Sequence, residues 1–207
     1  MATSNTPYRS VLLFGAPGAG KGTQGKMLGA LPGFYHMSSG DMFRGLDPRS
    51  DLGKEITAIM ASGELVPDEL TVRLWKQHAA AKVADGSYNP AQDLLVLDGI
   101  PRNPNQADLM AGDIEVLAIV NLDATDRDAL VARLKGRAAK EGRSDDAKEE
   151  VIRNRFRVFD AETAPMLGRY PAGVVHKIDP MGSPLAVLVR ILEALVPIHD
   201  ARLDAHI

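Results

Sequence analysis

At 207 residues the chain can build one good core with small insertions, but not three independent domains. Its 24 Lys and Arg against 27 Asp and Glu, with no sustained basic block outside one arginine-rich segment late in the chain, argue against nucleic acid as a partner; no apolar stretch reaches a membrane span and the opening MATSNTPYRS lacks a secretory apolar core, so a cytoplasmic location is expected. Cysteine is absent and the five histidines are scattered, which excludes disulfides and thiolate metal sites, and no structural zinc is expected.

The apolar run at residues 11–14 predicts a buried strand, and it leads directly into GAPGAGKGTQ at residues 15–24. Glycines let a backbone fold around an anion with several N–H groups pointing inward, and the start of a following helix and the Lys21 ammonium add field. Gly18, Ala19, Gly20, Lys21, Gly22 and Thr23 are therefore expected to hold the phosphates of ATP or GTP. Lys21 would reach the phosphates in transfer, with Thr23 nearby as a hydroxyl ligand or donor, and Mg²⁺ is implied with the nucleotide. The usual pattern has Ser or Thr directly after the lysine, whereas here Gly22 intervenes.

A short strand is predicted near residues 34–37. The helical stretch from 39 to about 84 is too long for a simple crossover and reads as an inserted helical subdomain. The strand at 94–97 ends in Asp98, the way a sheet presents a carboxylate to metal-bound water at its C-terminal edge; a strand-ending aspartate that caps a turn is the plainer alternative. A further strand is predicted at 116–120. Residues 136–146, GRAAKEGRSDD, combine glycine with charge and are expected to form an exposed, mobile loop of lid-like composition. A last strand at 174–178 precedes an apolar helix at 185–196, bounded by Ser183-Pro184 and by Pro197. The alternation of strands and helices indicates an α/β domain with a parallel sheet.

GAPGAGKGTQ (15–24), MSSGDMFR (37–44) and DGIPRN (98–103) together resemble the adenylate kinase family, and the likeness continues through GELVPDEL (63–70), GRSDD (142–146) and ETAPML (162–167). The resemblance implies one P-loop NTPase-type domain, a parallel sheet flanked by helices. It divides the chain into a core (8–37, 85–135, 147–199), an inserted monophosphate-binding subdomain (38–66) and a short lid (136–146). It also implies ATP, AMP and ADP as substrates, Mg²⁺ carried with ATP, and a monomer. Without cysteine or histidine between Arg137 and Arg143, the lid is similar to the short form of the family, closing on arginine–phosphate contacts alone.

By the same resemblance, Lys21, Arg102, Arg137, Arg143 and Arg155 form the catalytic set. Arg133 corresponds to the guanidinium that stacks on the ATP base, and Gly182 lies in the loop against the ATP adenine. The AMP side would comprise Ser39, Arg44, Glu64, Leu65, Val66, Gly99, Ile100, Pro101, Arg102, Gln106, Arg143 and Arg155. Gln106 matches the glutamine of adenylate kinases rather than the asparagine of uridylate/cytidylate relatives, and Ser39 supports the same choice, since an amide can pair with a donor and an acceptor on the adenine edge. Ile100 stands where the family usually has phenylalanine, changing the wall of the AMP pocket. A cis peptide before Pro101 would turn Arg102 toward the phosphates.

One departure concerns spacing. Asp145-Asp146 is followed by AKEE, one residue longer than the family pattern. Aligning Glu149-Glu150 assigns the last arginine role to Arg155, whereas ungapped counting would reach Asn154, which cannot supply the charge; Arg153 is the fallback. Arg127, Arg153 and Arg157 read as solvated helix residues, and Asp145 and Asp146 as braces for lid arginines. Two rival functions follow from the same motifs: a pyrimidine or broad-range monophosphate kinase, and a nucleotide-sensing protein without turnover. The intact arginine set argues against the second.

Overall fold

Sequence alternation sorts the apolar residues of the first strand onto two opposite faces: Val11 and Leu13 pack into one core layer, Leu12 and Phe14 into the other. A strand covered on both faces reads as a continuous apolar run, and β1 (Tyr8–Gly15) and β3 (Leu94–Asp98) are such strands. In this computed structural model, which describes residues 6–204, they join β2 (Phe34–Ser38), β4 (Ile114–Leu122) and β5 (Val175–Ile178) in a parallel sheet of order β2-β3-β1-β4-β5. Residues 1–5, half of the segment that argues against a secretory leader, lie outside the described residues.

One face of the sheet is covered by α1 (Lys21–Leu28), α6 (Arg127–Glu141), α7 (Glu149–Val158) and α8 (Pro184–Asp204), through Leu28, Leu134, Ile152 and Ile191. The other face is covered by α4 (Asp68–Ala84) and α5 (Pro104–Met110), through Val72, Trp75, Ala79 and Met110. Between β2 and α4 come α2 (Ser39–Arg44) and α3 (Asp51–Ser62). Because β1 sits between β3 and β4, the connection through α1 leaves it on one side while the chain after β3 returns on the other. Such a reversal opens a crevice at the carboxyl ends of the strands, where register aligns Leu13, Ser38 and Asp98.

Three sequence expectations change. The helical stretch 39–84 is not one inserted unit, because α4 buries Trp75 and Val72 with the residues of the sheet. Residues 136–146 are not an open loop. Helix α6 continues to Glu141 and stops at Gly142, whose φ of 65° places it in the left-handed region. Ser144–Asp146 then forms one turn of 3-10 helix with Asp145 and Asp146 buried; charge excluded this segment from a core by composition, but arginines supply its carboxylates with partners. Finally, α8 runs through Pro197 to Asp204. Proline removes one helical hydrogen bond, but beyond it Ile198 packs on the core and the His199 ring stacks on Phe34 at 5.2 Å, holding the helix on course.

Candidate active site

The crevice is a cleft of about 410 Å³. At one end, β1 stops at Gly15 and the chain turns through 16–20 into α1. Gly20 caps that helix with φ 105°, a conformation that favours glycine. Lys21, Gly22 and Thr23 follow and line the cleft with Gly18 and Gly20. The Lys21 ammonium donates to Gly15 O at 2.6 Å and Ala16 O at 3.2 Å, folded back over its own loop. Removal from bulk water pushes its pKa down to about 8; Asp98 opposes this shift, while Arg102, Arg155 and Arg137 reinforce it.

Asp98 lies on the cleft wall at the end of β3. Burial pushes its carboxyl up, but His36, Lys21 and Arg102 outweigh that and hold it below the usual aspartate range. At 3.9 Å the His36 Nε2 to Asp98 Oδ2 distance exceeds a hydrogen bond, so the contact is electrostatic. Thr23 and Asp98 are thus the hydroxyl and carboxylate on offer to a cation carried in with phosphates. Among the described residues no three carboxylates or histidines gather into a metal cage. Mg²⁺ keeps several waters and is held by one or two carboxylates plus substrate phosphates, and this donor set suits that mode.

The cleft is ringed by Arg44, Arg102, Arg137, Arg143 and Arg155. Most of them rest on carboxylates. Arg137 Nε and Nη2 approach Asp146 Oδ2 at 2.7 and 2.6 Å. Arg155 Nη1 donates to Asp145 Oδ2 at 2.9 Å and also to Asp146 Oδ1. Arg44 donates to Asp41 at 2.8 Å, and Arg143 lies 2.6 Å from Glu141 and 3.9 Å from Asp41. Arg102 instead donates from Nε to Gly99 O at 2.8 Å. Burial first, and the charges of Arg155 and Arg44 after it, push its pKa down to about 10 against the opposing pull of Asp98 and Asp145. This concentration of guanidinium charge suits a polyanion, which adds the negative charge that the resting carboxylates only partly supply.

The longer spacing after Asp146 is accommodated before α7, so Arg155 faces the cleft while Arg153 lies outward on Glu149 at 2.7 Å. Asn154 donates to Ser62 O at 3.1 Å and Glu64 Oε1 at 2.7 Å, outside the arginine ring.

The far end of the cleft is lined by Ser39, Gly63, Glu64, Leu65, Val66, Thr71 and Gln106. Ser39 Oγ donates to Gly99 O at 2.8 Å. Gly99 has φ 78°, and a Cβ there would fall 2.7 Å from Ser39 Oγ and 3.0 Å from an Arg102 guanidinium nitrogen, so only glycine lets both side chains converge. The Ile100–Pro101 peptide is cis, and Pro101 lines the cleft. Ile100 and Ala19 do not: both side chains are in the core, so the substitution at Ile100 alters packing behind the pocket rather than its wall. Arg133 and Gly182 also stand apart from the cleft lining. Arg133 reaches Pro180 O at 3.5 Å and Met181 Sδ at 3.6 Å, beside the Gly182 loop.

A family model described as adenylate kinase matches residues 13–174. The chain is also 37% identical over 191 residues to a protein named adenylate kinase from Kocuria rhizophila, covering 89% of this chain and 97% of that one. Proteins of the same name from Thermus thermophilus (37% over 194 residues, 90% and 97% covered) and a Mycobacterium species (39% over 191 residues, 89% and 98% covered) are similar to it as well. The chain belongs to the adenylate kinase family. It is accordingly a phosphotransferase of the nucleoside monophosphate kinase class.

Two residues of the chain that bear on the cleft, Asp41 and Thr163, have no role in the sequence reading. Asp41 sits inside MSSGDMFR three residues before Arg44, a spacing that puts both on one helix face. Burial pushes its carboxyl up, but the Arg44 hydrogen bond and the charges of Arg44, Lys26 and Arg143 hold it below the usual range. Thr163 lines the cleft and donates to Arg102 O at 2.7 Å. It comes from a turn 61 residues away, and no local pattern signals that pairing.

Proposed function

We propose that the protein catalyses ATP + AMP = 2 ADP, serving adenine nucleotide balance. The observation that carries the reading is that one continuous cleft is lined together by the glycine-lysine turn at residues 18–23, by Ser39, residues 63–66 and Gln106, and by five arginines. In the forward step an oxygen of the AMP phosphate forms a bond to the γ-phosphorus of ATP, and the bond from that phosphorus to the β–γ bridging oxygen breaks. Little proton chemistry is needed, so catalysis is positioning and charge stabilisation.

In this reading residues 18–23 hold ATP, with Arg133 and Gly182 flanking its base. Arg44 and Arg102 hold the AMP phosphate, and Lys21, Arg137, Arg143 and Arg155 spread charge over the moving phosphoryl group. Asp98 and Thr23 are the residues that would face a Mg²⁺ ion carried in with ATP, which would supply neutralisation of phosphate charge. Residues 38–66 form the monophosphate-binding insert and 136–146 the lid. Closing the lid excludes water that would otherwise hydrolyse ATP. The described residues contain no helix long and apolar enough to cross a membrane; a cytoplasmic monomer is part of this proposal.

The test is initial-rate ADP formation from Mg·ATP with AMP, CMP, UMP, GMP or no acceptor. AMP-selective turnover is the expected result. Pyrimidine preference would move the protein to the uridylate/cytidylate branch, and binding without turnover would refute the catalytic reading.

A further inference from the structure

We infer that Asp68, which does not line the cleft, is a specificity-determining positioning residue: together with the Arg102 backbone it fixes which end of the Gln106 carboxamide is oxygen, and so selects 6-aminopurine over 6-oxopurine monophosphates. This inference rests on the reading of AMP as phosphoryl acceptor.

Gln106 is 1% exposed, so bulk water does not satisfy its amide, and each end must find a partner in the protein. The Arg102 backbone N–H donates to Gln106 Oε1 at 2.8 Å. On the other side Gln106 Nε2 donates to Asp68 Oδ1 at 2.8 Å. A backbone N–H can only donate and a carboxylate can only accept. Turning the amide over would set N–H against N–H and oxygen against carboxylate, converting two hydrogen bonds into two repulsions. The amide therefore has one orientation.

Asp68 is itself held in place. Its Oδ1 also accepts from Asn103 Nδ2 at 2.9 Å and its Oδ2 from Asn105 Nδ2 at 2.9 Å. It stands in the first turn of α4, where the helix dipole favours an anion. Asn103 in turn caps α5 by accepting from the Gln106 N–H at 2.9 Å. The beginnings of α4 and α5 are thereby clamped together around the glutamine.

After these contacts Gln106 retains one N–H and one oxygen lone pair, and it lines the base end of the cleft. An edge with oxygen and N–H in fixed order pairs with a base that presents a donor beside an acceptor in the matching order, as the 6-amino group and N1 of adenine do. Hypoxanthine and guanine present the reverse, a 6-oxo acceptor beside an N1–H donor. To read them the amide would have to turn over, and Asp68 opposes that. A site built to pair with one polar pattern rejects its opposite because its own groups are left unpaired.

The experiment compares AMP with inosine 5′-monophosphate in wild type, Asp68→Ala and Asp68→Asn, measuring kcat and KM for each acceptor, KM for ATP, and the thermal midpoint. Wild type is expected to prefer AMP. Asp68→Ala should raise KM for AMP about tenfold, the order of one hydrogen bond to a charged group. KM for ATP should not change and kcat/KM for the inosine nucleotide should not fall, so the preference drops by about the same factor. Asp68→Asn, which keeps an acceptor oxygen without the charge, should fall between, and it carries the comparison if the alanine variant does not fold. A parallel fall for both acceptors, or an unchanged ratio in a folded variant, would overturn the inference while leaving the AMP reading intact. A wild type without AMP preference would overturn both.

Discussion

Asp146 is fully buried, with Arg137 on one carboxylate oxygen and Arg155 on the other, and Asp146→Asn tests whether this carboxylate holds the arginine ring together. The substitution keeps the shape, removes the charge, and turns an NH₂ group toward a guanidinium. Removing one partner of a fully buried ion pair costs about 3–5 kcal/mol. Here the arginine side chains keep 29% and 19% of their surface exposed, and Asp145 still pairs with Arg155 at 2.9 Å. Solvent screening and that remaining partner reduce the expected loss to about 2–3 kcal/mol. For a chain of this size each kcal/mol lowers the midpoint by about 2–4 °C, so nucleotide-free protein should melt about 4–12 °C below wild type. The assay is thermal unfolding with and without saturating Mg·ATP and AMP. Bound phosphates replace the missing negative charge at Arg137, so the deficit should shrink when nucleotides are present. A midpoint within a degree of wild type, or a deficit unchanged by nucleotides, would refute the reasoning.

Arg155→Ala should lower kcat by about 10²–10³-fold, the usual loss for one donor to a developing charge, whereas Arg153→Ala, whose partner is the exposed Glu149, should leave kcat within about twofold; steady-state kinetics on the two variants decides between neighbouring arginines. The Lys21 ammonium, lowered to about 8 without nucleotide, is favoured in its charged form by polyphosphate. ATP binding at pH 8.5 should therefore take up a proton, and affinity should fall toward about tenfold per pH unit above that value. Calorimetry in two buffers of different ionisation enthalpy measures the uptake, which Lys21→Met should abolish. The same lowered pKa means that between about 8 and 10.5 the unfolded chain holds the Lys21 proton and the folded one does not, so this group's contribution to stability rises with pH across that window. Trp75→Ala should cost about 3–5 kcal/mol, since Trp75 is fully buried between α4 and the sheet. Trp75→Phe should cost less, because among the described residues the buried indole N–H has no hydrogen-bond partner to lose; urea unfolding compares the two.

Local chemistry made much of this protein readable in one dimension. The phosphate loop needs glycines, a lysine and a strand-to-helix turn within a few consecutive residues, so its pattern survives without the fold. The core strands were legible because burial on both faces demands uninterrupted apolar runs, although their ends were not: β1 begins at Tyr8 and β4 at Ile114, outside the most apolar residues. Gln106 taken alone reads as an ordinary exposed helix residue, and only the family resemblance singled it out together with Arg102. Composition misread the local structure of residues 136–146 as open loop, because the partners that Arg137 and Arg155 give to Asp145 and Asp146 are not visible in composition. Pro197 misjudged the end of α8 for the related reason that contacts with Phe34 and the core lie far away in sequence.

What the amino-acid order determined by itself was the set of short-range devices: the glycine-lysine turn between strand and helix and the buried apolar strands. What only the tertiary structure decided was which charges meet. Asp145 and Asp146 pair with Arg155 nine to ten residues on, Asp41 lies within 3.9 Å of Arg143 across the cleft, and Asp68 orients Gln106 from 38 residues away. Electrostatic interactions and hydrogen bonds depend on distance through space and on the solvent excluded around them, and neither quantity is written into the spacing of residues along the chain.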